Sequence, residues 1–368
     1  MVTTKTIDTA TLKDWMAKDK DVTVLDIRPN KERDEWLIPK SIHFNVYDKL
    51  KSGDYHALDS LNIDKDIPVV TVCAGGRMSL IAAEILSAKG YNAYSLQGGM
   101  KAWNYAWDTS ELILEDVKII QVRRVAKGCL SYLIGSGNQA MVIDASLDPS
   151  VYTGLAKEQG WTIDYVADTH IHADYVSRTR ELAKVNGAKH VMIESAAVGF
   201  QFIPLKDGEN IRIGNVELKI LHTPGHTWES SCFLIENKVV FTGDTLFTDG
   251  IGRPDLKADE KETKNKAASL YDSLRMLLSL NEANLVMPAH VSEPIEIGQA
   301  LISTPIKELK KSINTLIIEK SKFISTILAK LPESPPNYLT IAEINESGNS
   351  KDFIIADLEA GANRCAIN

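Results

Sequence analysis

Residues 168–182 read DTHIHADYVSRTREL and set His170, His172 and Asp174 at alternate positions, a spacing that gathers imidazole and carboxylate groups as a bound metal requires. Three later runs extend the set in order: LHTPGHT with His226, VVFTGDTLF with Asp244, and LVMPAH with His290. Each follows an apolar, strand-like stretch, and loops at strand ends are where a rigid scaffold converges ligands. A single histidine is more often a packing or surface residue than a ligand, so His43, His56, His190 and His222 are given no metal role. Tyr175 stands where a centre for two ions would place one more imidazole. A phenol, with an ordinary pKa of about 10, binds divalent ions weakly.

A second reactive group lies in VVTVCAGGRMSLIAAEIL. Cys73 ends an apolar strand, two glycines follow, and a helix begins. A loop of this kind turns backbone N–H groups toward an anion at a helix N-terminus, a field that favours thiolate and makes a nucleophile. Gly75, Gly76 and Arg77 are the expected substrate-binding positions around it.

The elements that must hold these groups fall into two patterns. Short apolar strands alternate with helices up to about residue 106, as in a small α/β unit with a parallel sheet. Closely spaced strands then alternate with helices to about residue 300, as in mixed sheets covered by helices. From Pro305 to Leu331 a lysine-rich stretch has helical spacing and reads as a capping helix, and PESPPNY ends it. The expected divisions are residues 1–110, 115–304 and 305–368, the last packing on the metal domain.

The chain has 368 residues, of which 44% are hydrophobic and 24% charged, the balance of an ordinary globular protein. Its net charge of -8 argues against nucleic acid or anionic lipid as a partner, since both require a basic face. No apolar run has the length of about 20 residues that spans a bilayer, and the start MVTTKTIDTATLKDW has no secretory pattern. A cytoplasmic protein with a small-molecule substrate is expected. Its four cysteines, Cys73, Cys129, Cys232 and Cys365, are expected as free thiols. The sequence leaves a homo-oligomer open.

HxHxD, TPGH, GD and PAH in this order resemble the metallo-β-lactamase fold, an αββα sandwich, over about residues 115 to 300. Among its branches, the persulfide dioxygenases are the one known to use a single metal. That resemblance implies one Fe(II) held by His170, His226 and Asp244, with zinc as the alternative, and with His172, Asp174, Tyr175 and His290 in outer positions. Two histidines and one carboxylate are the ligand set of non-haem iron oxygenases. The same resemblance puts Arg253 near an anionic thiol substrate, the alternative being a surface arginine in a turn beside Pro254. The last residues look like a bacterial C-terminal extension that could bring Cys365 toward the site, with simple burial of that thiol as the preferred reading.

Residues from about 5 to 107 resemble the rhodanese domain of sulfurtransferases, in which Cys73 would carry sulfane sulfur as a persulfide. Met78 stands where that family has an arginine, and WLIPK replaces its usual Gly-His-Ile-Pro-Gly. Asp26 and Arg28 read as an ion pair that holds the fold. Together the resemblances imply an enzyme that uses O2 to oxidise a thiol persulfide, such as glutathione persulfide, to sulfite, while Cys73 exchanges sulfur with thiosulfate. Two rivals remain: a zinc thioester hydrolase of glyoxalase II type, and a non-enzymatic sulfur-carrier or sensor protein.

Overall fold

Val69–Val72 is buried at every position, as suits the centre of a parallel sheet covered on both faces. In a computed structural model describing residues 5–18, 20–361 and 363–367, five parallel strands run in the order Lys5–Ile7, Ala93–Leu96, Val69–Val72, Thr23–Asp26, Ile42–His43. Buried Asp26 and Arg28 are joined at 2.7 Å, and Arg28 also donates to the Trp36 carbonyl, so the pair ties this sheet to the chain that follows it.

Trp107–Ile113 pairs along its whole length with Lys118–Arg124 and is the edge strand of a second sheet. The expected boundary therefore moves back to Ala106. That sheet has seven strands and faces another of six. Tyr132, Ile134, Met141 and Ile143 from the first meet Leu218, Ile220, Phe233, Phe241 and Met287 from the second in one apolar core. Helices Pro149–Glu158 and Thr179–Asn186 cover the outer face of the first sheet. Glu260–Leu278 and Lys320–Ala329 cover the second. This is the four-layer αββα sandwich. No helix among the described residues is long and apolar enough to cross a membrane.

The C-terminal segment differs from expectation in two ways. The lysine-rich stretch is two helices, Ile306–Ser312 and Lys320–Ala329, because Ile313 leaves helical geometry (φ -104°, ψ 96°) to bury its side chain. The tail also joins both domains rather than packing on one. Asp357 pairs with Lys101, and Arg364 with Glu35, in the N-terminal domain. Buried Glu359 faces Arg124 at 2.9 Å and accepts the Val176 N–H, both in the sandwich.

Candidate metal centre and thiol loop

His170 Nε2 and His226 Nε2 lie 3.7 and 3.6 Å from Asp244 Oδ2, with all three side chains buried. Their other ring nitrogens are engaged. Thr169 Oγ1 is 2.9 Å from His170 Nδ1, and His226 Nδ1 donates to the Arg253 carbonyl at 2.7 Å. A histidine that donates through Nδ1 keeps its Nε2 lone pair for a metal. His170 Nε2 and Asp244 Oδ2 have no hydrogen-bond partner. Buried polar atoms are seldom left so, and the ligand atoms of the three residues lie within 4.8 Å of one another. One ion with bonds of about 2.1 Å can bridge that spacing, so the residues fit a metal.

The electrostatics point the same way. Burial drives His170 well below the ordinary imidazole pKa, with repulsion from His172 and His226 adding to it, and burial also lowers His226. Both rings are thus neutral, the form that binds metal. Burial would raise Asp244, but His290 and His226 outweigh it and hold the carboxyl below the usual carboxylate range. Close approach of the ligand loops depends on Gly243, at φ +52°, where a Cβ would meet Thr169 Oγ1 at 2.5 Å.

The four residues expected in outer positions divide. His290 Nδ1 is 2.6 Å from Asp244 Oδ1, and His290 Nε2 is 2.7 Å from Asp174 Oδ2 without the angle of a hydrogen bond. His172 belongs elsewhere: its Nε2 lies 3.0 Å from Asp144 Oδ1 and 2.8 Å from the Tyr175 hydroxyl. Tyr175 therefore turns its oxygen toward His172 and Asp144, which removes it as a ligand at the place of the absent imidazole.

Arg253 requires a correction. It is fully buried, and its guanidinium is taken by Asp255 and by the carbonyls of Pro332, Glu333 and Arg364. It anchors the tail and has no donor left for a substrate. The tail does bring Cys365 beside Asp244 and His290.

Several residues of the site went unread in the sequence. Asp144, at φ +58°, accepts from Thr169 N and Oγ1 and so steadies the oxygen next to His170. Its signal was an apolar strand ending in aspartate. Asn345 donates to the carbonyls of His172 and Tyr175 and accepts the Ser177 N–H, clamping the ligand loop from the far end of the chain. No local pattern marks it. His43, His56 and His222 bond to Arg28 O, Asp59 and Trp228 O, away from the centre. His190 lies 3.6 Å from Asp168 and is in none of the potential ligand groups among the described residues.

In the thiol loop, Cys73 Sγ receives the N–H groups of Gly76 at 3.1 Å and Ser79 at 3.4 Å, and it lies 3.4 Å from Ser79 Oγ. The helix Arg77–Ala88 starts there, so the sulfur sits at its positive end. Gly75 and Arg77 are exposed at the mouth of the loop, whereas Met78 is buried. The backbone at Gly98–Gly99 closes the other side, with Met100 N donating to the Cys73 carbonyl at 2.8 Å.

Comparison with known proteins supports both halves. The family model for the metallo-β-lactamase superfamily matches residues 124–290, and that for the rhodanese-like domain matches residues 8–106. A hydroxyacylglutathione hydrolase of Rhodospirillum rubrum is 32% identical over 152 residues, 40% of this chain and 56% of that protein. The probable polyketide biosynthesis zinc-dependent hydrolase PksB of Bacillus subtilis is 32% identical over 157 residues, 41% of this chain and 67% of that protein. The chain thus spans little more than half the length of the first of these relatives. Among solved structures, a metallo-β-lactamase from Staphylococcus aureus superposes with a TM-score of 0.58 at 27% identity, over 64% of this chain and 74% of that one. ETHE1 from Myxococcus xanthus superposes with a TM-score of 0.53 at 27% identity, over 66% of this chain and 99% of that one. The chain belongs to the metallo-β-lactamase superfamily and carries a rhodanese-like domain ahead of its metal domain.

Proposed function

We propose that this protein is a persulfide dioxygenase joined to a sulfurtransferase, acting on a low-molecular-weight thiol persulfide such as glutathione persulfide. The observation that carries the reading is the triad of His170, His226 and Asp244, whose Nε2 and Oδ2 atoms point at one place while Tyr175 withholds a ligand from its neighbour. One ferrous ion bound there would supply open positions for sulfur and dioxygen and the electrons that activate oxygen. The chain's own part is to keep both imidazoles neutral, hold Asp244 ionised, and fix all three through Thr169, Arg253 O and His290. Overall, persulfide, O2 and water become the free thiol and sulfite.

Cys73 handles the sulfane sulfur. Its thiolate attacks the outer sulfur of thiosulfate, the S–S bond breaks, sulfite leaves with the electron pair, and a Cys73 persulfide remains. The N–H groups of Gly76 and Ser79 stabilise the anionic sulfur. A carrier thiolate then takes that outer sulfur and restores Cys73.

The second reading, a zinc thioester hydrolase, is favoured by the names of the hydrolase relatives. One zinc ion can generate a nucleophilic hydroxide, so the triad alone does not exclude it. Anaerobic purification, metal analysis, and oxygen uptake with glutathione persulfide separate the two. About one iron per chain with persulfide-dependent oxygen uptake supports the dioxygenase. Zinc with thioester cleavage and no oxygen uptake overturns it.

A further inference from the structure

We propose that Lys266 anchors the substrate at the metal centre, its ammonium holding a carboxylate of the carrier thiol in a cavity that opens beside His226. The inference rests on the reading of a thiol persulfide as substrate, and its binding test needs no turnover. Lys266 lies on the helix Glu260–Leu278, whose buried positions Thr263, Ala267, Leu270 and Leu274 form the stripe that packs inward. The lysine belongs to that stripe and is only 4% exposed. A cation at a core-facing position is costly unless an anion meets it.

Lys266 Nζ donates to the Leu256 carbonyl at 3.1 Å, and among the described residues no carboxylate lies within ion-pair distance of it. The acidic side chains whose charge it feels serve other donors. Glu229 takes the Ile171 N–H at 2.9 Å, Glu262 the Trp228 indole N–H at 2.8 Å, and Asp255 the Arg253 guanidinium at 2.7 Å. An ammonium has three N–H groups, so Lys266 keeps donors for a ligand after its bond to Leu256.

The cavity has a volume of about 170 Å³, and Lys266, Leu256, Trp228, Ile171 and His226 are in its wall. Helix packing puts the lysine there. At Gly225 a Cβ would stand 2.4 Å from Leu270 Cα, so the helix lies directly on the loop that carries His226, and Lys266 is one turn earlier. His226, with Ile171 next to His170, brings the cavity to the triad. Its volume is below the range of about 300–1,000 Å³ that encloses a whole drug-sized ligand, so it takes one arm of a thiol of tripeptide size. A carboxylate is the group on such an arm that an ammonium selects. Arg253 is committed to Asp255 and the tail, and Lys257 to Glu346, which leaves Lys266 as the available cation of the cavity among the described residues.

The test is calorimetry of glutathione binding to the full-length, metal-loaded chain, with glutathione diethyl ester, which has no free carboxylate, as the comparison. Glutathione should bind the native chain at least about tenfold more tightly than the ester, the worth of one charged hydrogen bond. Lys266→Gln should abolish that ratio with metal content unchanged, whereas Lys266→Arg, which keeps the charge, should retain most of it. In oxygen uptake, Lys266→Gln should raise the KM for glutathione persulfide about tenfold with kcat within about twofold, the pattern of lost uniform binding. Equal affinity of the native chain for acid and ester would sink the proposal whether or not any variant folds. So would a ratio that survives Lys266→Gln. Loss of sulfite binding in Lys266→Gln with glutathione binding intact would assign the ammonium to the product and overturn the proposal as well. Absence of oxygen uptake by the native chain refutes the dioxygenase reading alone, because the affinity ratio still decides the role of Lys266.

Discussion

Cys73 and the metal triad stand at opposite extremes of construction. The thiol and the donors around it, Gly76 and Ser79, come from one strand-to-helix turn, and their geometry follows from that turn. His170, His226 and Asp244 come from separate loops, and the contacts that hold those loops reach from Asp144 to Asn345 and the tail. A local site survives distant change, whereas a dispersed one inherits the stability of everything that holds it. The tail breaks this simple division, since Lys101 and Glu35 tie it to the domain of the thiol loop as well.

The sharpest contrast should come from the nucleophile. Cys73→Ser should lower thiosulfate sulfurtransferase activity by about 10⁴-fold or more, the scale of losing a catalytic nucleophile. Oxygen uptake should stay within about twofold, and loss of both would show that the sites are not separable. Glu359→Gln tests the tail. It leaves buried Arg124 without its ion-pair partner, and removing one member of such a pair costs about 3–5 kcal/mol. Denaturant unfolding should show that loss, and both activities should become more heat-sensitive together. If only the metal domain weakens, the strap does not couple the two.

His226→Ala should reduce retained metal and oxygen uptake at least about 100-fold, the upper end of what outer supports cost. Sulfurtransferase activity should not change. Asn345→Ala removes three hydrogen bonds from the loop that carries His172 and Tyr175. Metal affinity should fall about tenfold, measured by chelator competition, with the thiol site untouched. An unchanged affinity would mean that the ligand loop holds its shape without the C-terminal clamp.

The thiol loop was almost wholly legible, because a strand, a reactive residue, two glycines and a helix are adjacent in the chain and carry their own geometry. The buried Asp26–Arg28 pair was legible for the same reason. The metal residues could be listed, since HxHxD, TPGH, GD and PAH each mark a strand end. Their partition could not be derived from spacing. His172 and His170 sit two residues apart, yet Asp144 and Tyr175 draw the first away while Thr169 and Asp244 engage the second.

Arg253 makes the same point from the other direction: a motif beside a ligand suggested a substrate contact, but Asp255 and the carbonyls of the folded tail together consume every donor. Composition, periodicity and motif order thus settled the two domains and the supply of chemical groups, because hydrophobic pattern and turn chemistry act over a few residues. Which nitrogen faces which oxygen, and which cysteine faces the centre, was decided by contacts between segments far apart in the chain. Those depend on how the two sheets and the C-terminal strap pack, and no local stretch encodes that alone.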